Sequence, residues 1–276
     1  MTSKLLKGFT FTPFIILLLL PPTILAFQTN ELLVTPFRLA FETATISFCS
    51  TSSDAASIDH LDIKKRADLK KDLLSLAASF DRGFGASPSA RSKANNIINK
   101  LESYNQEEFS SYGIDGNAIS PLQGAWRMIW TTASDVLVLG ASPVATVGAI
   151  YQIFEPPLVT NVIDFIPRVQ SLLPPSLVPS SLVRAKVKTR ASSRPGYPNR
   201  VGLFFEAVNL QPVEFLGMDA SNLTPFAANL PKIPGADNDS GPGYFDVSYL
   251  DDELLIIRQN APGGLFALVK VDNSDP

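Results

Sequence analysis

Residues 182–188 alternate without a fault. Val183, Ala185 and Val187 take one side, while Arg184, Lys186 and Lys188 take the other, the period-two pattern of a half-buried strand. Residues 122–132 alternate in the same way, which places Leu122, Gly124, Trp126, Met128 and Trp130 on one expected face. Shorter apolar runs at 151–155, 159–165 and 213–216, and a longer one at 200–210, add further strands. The chain closes on strand, turn, strand, turn, strand. Residues 244–249 alternate, LDDE at 250–253 is a polar turn, 254–258 is a strand, QNAPGG at 259–264 is a second turn, and 265–271 is the last strand. In the middle strand Leu254 and Ile256 face one way and Leu255 and Ile257 the other. Phe204 and Phe205 likewise point to opposite faces. Strands apolar on both faces are covered on both sides.

Upstream the period lengthens. Ile63, Leu69, Leu73, Leu76, Ala77 and Phe80 recur at helical spacing, and Gly83 and Gly85 end the run. Ser87-Pro88 supplies an N-cap and first-turn pair for a second helix carrying Ala94, Ile97, Ile98, Leu101 and Tyr104. The expected architecture is therefore mainly β with N-terminal helices. A helical pair over 61–105 would cover an antiparallel sandwich or barrel over 120–272. Three segments fit no minimal barrel: the small-residue stretch 133–149, the Pro-rich stretch 167–181 and the loop 218–242 with its acidic tip at 237–239. Loops of such length are commonly functional or disordered.

The first residues read as an address. Lys4 and Lys7 precede an apolar run over 9–20, ended by Pro21 and Pro22, and Ala26 offers a cleavage site, the parts of a secretory signal peptide over 1–26. Cleavage there would expose Phe27 ahead of a hydroxyl-rich segment over 27–60, the form of a bipartite presequence for a complex plastid. An uncleaved anchor and plain secretion are the alternatives. With Arg38 as its one basic residue in the stretch 27–57, and with Glu31, Glu42 and Asp54, the second part departs from the Arg-rich, acid-poor transit peptide. The mature domain over 61–276 follows.

Composition narrows the chemistry more than it defines it. The net charge is −3, which gives no footprint for nucleic acid. Cys49 and His60 are the sole cysteine and histidine. After them the chain holds no thiol and no imidazole, which excludes a Cys/His zinc site, a Cys nucleophile and a His-based triad from the mature domain. No phosphate-cradling Gly-rich loop or dinucleotide fingerprint appears, so no cofactor and no metal are expected. The acids Asp251, Asp252 and Glu253 fit a hairpin turn, with a metal or acid/base cluster as the alternative. Arg184, Lys186 and Lys188 form either a patch for anionic surfaces or one solvated strand face. Alternation alone nominates Trp126, Met128, Val187, Phe205, Ile256 and Phe266 as barrel-interior, ligand-facing residues.

The closing pattern YLDxxLxIxR, with its Gly-rich turn and LFxLVxV strand, resembles the C-terminus of the plastid lipid-associated proteins, the PAP/fibrillin family. The helical unit resembles the same family in its Arg82-Gly83 break, in Pro88 and in its Leu101-Glu102-x-x-Asn105 end. Gly124-x-Trp126 is similar to the lipocalin GxW signature. The resemblance covers roughly residues 69–271. It implies a lipocalin-like barrel in which Trp126 plugs the closed end and an arginine from a late strand, here Arg258, stacks on it. Asp252 matches a family aspartate that reads as structural. It further implies a non-catalytic protein that binds a prenylquinone, carotenoid or acyl lipid and meets a plastoglobule or thylakoid surface. A coat protein of lipid globules without a stoichiometric ligand, or a lipid-modifying enzyme, are the other readings.

Overall fold

Two N-terminal helices and a ring of strands dominate the computed structural model, which describes residues 52–174, 176–229, 243–260 and 263–272, with side chains from residue 61. The signal-peptide-like segment, the transit-peptide-like segment as far as residue 51, Cys49 and the acidic tip at 237–239 lie outside the described residues, and so does the side chain of His60. Helix α1 runs Ser52–Ser79 and α2 runs Pro88–Glu102. The first therefore starts earlier than the expected boundary at residue 61. Ser87 caps α2, its Oγ accepting from the Ala90 N–H at 3.2 Å, with Pro88 in the first turn.

The strands are β1 (Gly124–Thr131), β2 (Ala145–Glu155), β3 (Leu158–Pro167), β4 (Leu182–Arg194), β5 (Tyr197–Phe215), β6 (Met218–Asp219), β7 (Phe226–Asn229), β8 (Gly243–Leu250), β9 (Leu254–Gln259) and β10 (Leu265–Val271). They follow the order β4-β3-β2-β1-β10-β9-β8-β5, and β4 also pairs with β5. That pairing closes an antiparallel barrel of eight strands, leaving β6 and β7 as additions to β5. A closed ring has no exposed edge, which is how all-β domains avoid edge-to-edge association. The runs expected at 200–210 and 213–216 are one strand, β5. Residues 145–149, expected outside the strands, open β2.

Two bulges decide which face each aromatic takes. In β1 the register slips between Met128 and Trp130 against β10. In β8 it slips between Val247 and Tyr249 against β9. An extra residue reverses the inside–outside alternation beyond it. Trp130 is thereby separated from Trp126 and Met128 and turns outward, which corrects the single expected face. Trp130 and Tyr249 join Leu254, Ile256, Leu265 and Ala267 beneath Leu73, Leu76, Ile97, Ile98 and Leu101 of the helices. This is the outer covering that the doubly apolar closing strands require. Ile256, expected inside, belongs to this layer and not to the lumen. Gly83, in the turn between the helices, has φ +103°, and a Cβ there would collide with the Thr131 carbonyl. Only glycine satisfies both demands.

The connectors sort by barrel end. Because neighbouring strands are antiparallel, the short links β2–β3, β4–β5 and β8–β9 lie at one end. The long segments after β1, β3 and β5 gather at the other. The described parts of the three segments that fitted no minimal barrel, 133–149, 167–174 with 176–181, and 218–229, therefore start at one mouth.

Candidate ligand-binding site

The end with short links is sealed. Trp126 is fully buried, and its indole N–H donates to the Leu122 carbonyl at 2.8 Å. Phe154, Val159, Ala191, Phe245 and Leu268 pack in the same cluster, joined by Ile114 and Leu122 from the linker that follows α2. Phe154 and Phe245 meet edge to face at 6.3 Å. The linker is tied across this end. The Ser111 N–H donates to the Pro198 carbonyl at 3.0 Å, and the Ser193 N–H donates to Asp115 Oδ1 at 3.0 Å. Lys270 Nζ stands 5.3 Å from the Trp126 ring centre, a cation–π contact worth about 0.5–1 kcal/mol at an exposed site.

Above the plug the inner wall changes character. Register places Asn161, Ile163, Val187, Leu203, Phe205 and Phe266 on the inward face, in line with Trp126 and Val159. These six side chains keep partial exposure, although they point into a closed ring. Free space therefore remains in the lumen beside them. Met128, also inward, is buried lower down. Of the residues nominated for the interior, Trp126, Met128, Val187, Phe205 and Phe266 face inward. An eight-stranded barrel has room either to fill itself with side chains or to hold one small ligand.

A lid segment crosses part of the mouth. Helix α3 (Ser134–Leu137) and the following turn, Val138–Ala141, connect β1 to β2. Leu139 inserts against the inward-facing Phe165 and Ala185. Arg168, which begins helix α4 (Arg168–Leu172), pins the lid by its carbonyls. Its Nε donates to Ser142 O at 3.0 Å, and its Nη2 donates to Gly140 O at 3.1 Å and Ser142 O at 2.7 Å. Asp135, in the first turn of α3, accepts from Gln259 Nε2 at 3.4 Å and from the Val136 N–H at 3.0 Å. Burial pushes its carboxyl above the ordinary range against those hydrogen bonds. Neither the Arg168 clamp nor the lid is signalled by periodicity, because both depend on a contact between connectors.

A family model, PAP_fibrillin, matches residues 67–269. The chain belongs to the PAP/fibrillin family. It is 27% identical over 274 residues to the probable plastid-lipid-associated protein 10, chloroplastic, of Arabidopsis thaliana, covering 86% of this chain and 90% of that one. It is 24% identical over 230 residues to the chromoplast-specific carotenoid-associated protein C2, chromoplastic, of an Oncidium hybrid cultivar, covering 74% of this chain and 69% of that one. The C1 protein of the same plant is 23% identical over 231 residues, with the same shares. No solved structure matches.

The PAP/fibrillin signatures at the two ends of the domain dock on each other. Arg258 forks onto Glu102 at 2.7 and 2.8 Å and reaches Asn99 Oδ1 at 3.0 Å. A bidentate guanidinium–carboxylate pair fixes orientation as well as adding attraction. Asn105 Oδ1 accepts from the Leu250 N–H at 3.0 Å. The LExxN end of α2 thus holds the closing meander. This corrects the expected stacking of Arg258 on Trp126. Arg258 pairs in register with Leu265 and Asp246, which puts it on the outer face, whereas Trp126 points in. Lys270 takes the position over the indole.

The structural acid of the LDDE turn is Asp251, not Asp252. Asp251 Oδ1 accepts from the Glu253 and Leu254 N–H groups at 2.9 Å each. Its Oδ2 accepts from the Tyr249 hydroxyl at 2.5 Å and pairs with Lys70 at 2.7 Å. Burial works against its charge, but these partners outweigh burial and hold the carboxyl below the ordinary range. Burial, with the Asp251 carboxylate, pushes the Tyr249 hydroxyl up. Asp252 is exposed. The trio on β4 also needs correction. All three cations face out, but Arg184 forks onto the buried Asp164 at 2.7 and 2.9 Å, so the surface cations are Lys186 and Lys188.

Proposed function

We propose that this PAP/fibrillin protein is a non-catalytic binding module of the plastid that holds one hydrophobic molecule, a prenylquinone, carotenoid or acyl lipid, in its barrel. The observation that carries this reading is the plugged lumen. Inward-facing apolar residues keep partial exposure above the plug, while Trp126 and Phe154 close the other end. Apolar sites of this shape are where small hydrophobic ligands bind. The names of the relatives, lipid-associated and carotenoid-associated, support the class, and chloroplastic and chromoplastic support the compartment. Residues 1–60 then serve as signal and transit peptide. Titration with an apolar fluorescent probe, N-phenyl-1-naphthylamine, is expected to saturate at one site per chain. A linear, non-saturating signal would argue against the lumen.

The mouth supports a second role on a plastoglobule or thylakoid surface. Val144, Leu172 and Leu177, one or two from each of two mouth connectors, are 74%, 75% and 70% exposed, and Phe215, Met218 and Phe226 add to the rim. Apolar tips gathered at one end mark an interaction surface. Leu172→Ser with Leu177→Ser is expected to reduce co-sedimentation with neutral galactolipid vesicles several-fold. Lys186→Gln with Lys188→Gln, on the barrel side, should matter only for anionic vesicles. Equal binding by all variants would mean that the rim does not meet the lipid surface. Such a coat role needs no stoichiometric ligand and is compatible with one.

Arg168 connects the two roles. With Arg168→Ala the lid carbonyls of Gly140 and Ser142 lose their donor, at a cost of about 1–3 kcal/mol. Stopped-flow dilution is expected to show several-fold faster probe release. Unchanged release kinetics would mean that the lid does not gate the lumen.

A further inference from the structure

The inner wall is not uniformly apolar. Gln152 on β2 pairs in register with Asn161 on β3, and Trp126 lies beside Gln152 on β1. Val187 on β4 is opposite Asn161, and Thr189, two residues on, is opposite Val159 and Phe205. Cross-strand neighbours and their diagonals on one face stand within side-chain reach of each other. Gln152, Asn161 and Thr189 therefore form one polar patch on the β2–β3–β4 wall, directly above the Trp126 plug. Gln152 is buried at 7% exposure and Thr189 at 0%. Thr189 Oγ1 has no hydrogen-bond partner among the described residues. A buried hydroxyl left in that state costs roughly 1–3 kcal/mol. Mouthward of the patch the wall turns apolar again, through Ile150, Ile163, Ala185 and Phe165.

We infer that the ligand is a single-tailed amphiphile bound head-first, with an uncharged carbonyl- or hydroxyl-bearing head on Gln152, Asn161 and Thr189 and its tail running to the mouth. This rests on the lumen being a ligand site and specifies what it takes. The patch offers an amide pair and a hydroxyl, which both donate and accept. It offers no charge to neutralise an ionic head, and burying an unpaired ion is far costlier than burying a carbonyl. From Asn161 to Pro167, the mouth end of β3, is six residues, or about 20 Å of strand at ~3.3 Å per residue and about 15 Å of depth once strand tilt is counted. That depth suits a tail of moderate length or the first part of a longer one that leaves through the rim. At the mouth, Gln259 Nε2 donates to Asp135 Oδ2 at 3.4 Å, and a head held there is the alternative that the test separates.

The chain has two tryptophans, and Trp130 lies outside the lumen under the helices. Trp130→Phe therefore leaves Trp126, beside the patch, as the sole indole reporter. The probes are decylbenzoquinone, whose head quenches indole fluorescence, and decylbenzene, which has the same tail without carbonyls. Decylbenzoquinone is expected to quench Trp126 and to bind more tightly than decylbenzene, with each probe's affinity read by displacement of N-phenyl-1-naphthylamine. Gln152→Leu with Asn161→Leu should weaken decylbenzoquinone at least 10-fold and leave decylbenzene unchanged or tighter. Thr189→Val should weaken decylbenzoquinone two- to tenfold while raising the melting temperature of the ligand-free protein, a pairing that a purely structural threonine would not give. Equal affinities of the two probes, unaltered by these substitutions, or binding without quenching of Trp126, as for a head held at Asp135 and Gln259, would overturn the head-first inference and leave the lumen site standing. Failure of both probes to displace the fluorophore would instead overturn the lumen site itself.

Discussion

Trp126→Ala is expected to lower the unfolding free energy by about 3–5 kcal/mol, the usual cost of truncating a large buried aromatic. The indole is fully buried and also holds the Leu122 carbonyl, so the loss includes one hydrogen bond at 2.8 Å as well as the cavity. Because Ile114 and Leu122 pack against the same cluster, the linker across the sealed end should loosen with it. Denaturant unfolding followed by circular dichroism measures the energy, and hydrogen exchange at residues 110–123 measures the loosening. A variant within 1 kcal/mol of the parent, with an unaltered linker, would mean that Trp126 is not the plug. Trp126→Phe separates shape from bonding. It keeps most of the packing and is expected to lose roughly 1–2 kcal/mol, mainly the hydrogen-bonded N–H and part of the volume.

The second large effect is on binding. Val187 faces the lumen, is partly exposed there and lies opposite Asn161 and Val208. Val187→Glu places a carboxylate where a bound tail must exclude water. Displacing that carboxylate's hydration is expected to cost at least 100-fold in probe affinity, about 2.7 kcal/mol or more. Stability should change far less, because the ligand-free lumen leaves the new group hydrated. The N-phenyl-1-naphthylamine titration reads the first and thermal unfolding the second. Retained affinity would show that the probe binds elsewhere, for example on the apolar rim.

Much of this arrangement is legible in the sequence, for identifiable reasons. Helix α2 carries its own cap at Ser87-Pro88, and the closing meander carries two turn motifs, so both could be bounded from local chemistry alone. Strand β4 shows its inner and outer faces directly, because Val187 and Lys188 differ so sharply. The face of Trp130 could not be read, since a bulge leaves no mark on the hydrophobic pattern and reverses everything beyond it. Ile256 failed for a related reason: in a strand apolar on both faces, alternation does not say which side is the lumen. Resemblance points to Arg258 and Asp252, whereas the register gives the place over the indole to Lys270 and the turn's hydrogen bonds give the structural role to Asp251. The polar patch had a faint signal in Gln152, Asn161 and Thr189, each breaking an apolar inward row, but only the pairing of three strands brings them together. The lid is the least legible part, because the Arg168 clamp joins two connectors that no period describes.

A ligand held in the barrel lumen would travel with the purified protein. Native mass spectrometry of the mature domain, after incubation with a plastid lipid extract and removal of unbound lipid, detects it. One additional mass per chain is expected, matching an uncharged single-tailed amphiphile and absent from Val187→Glu. A spectrum showing only the ligand-free chain, or an adduct equally abundant on Val187→Glu, would contradict it.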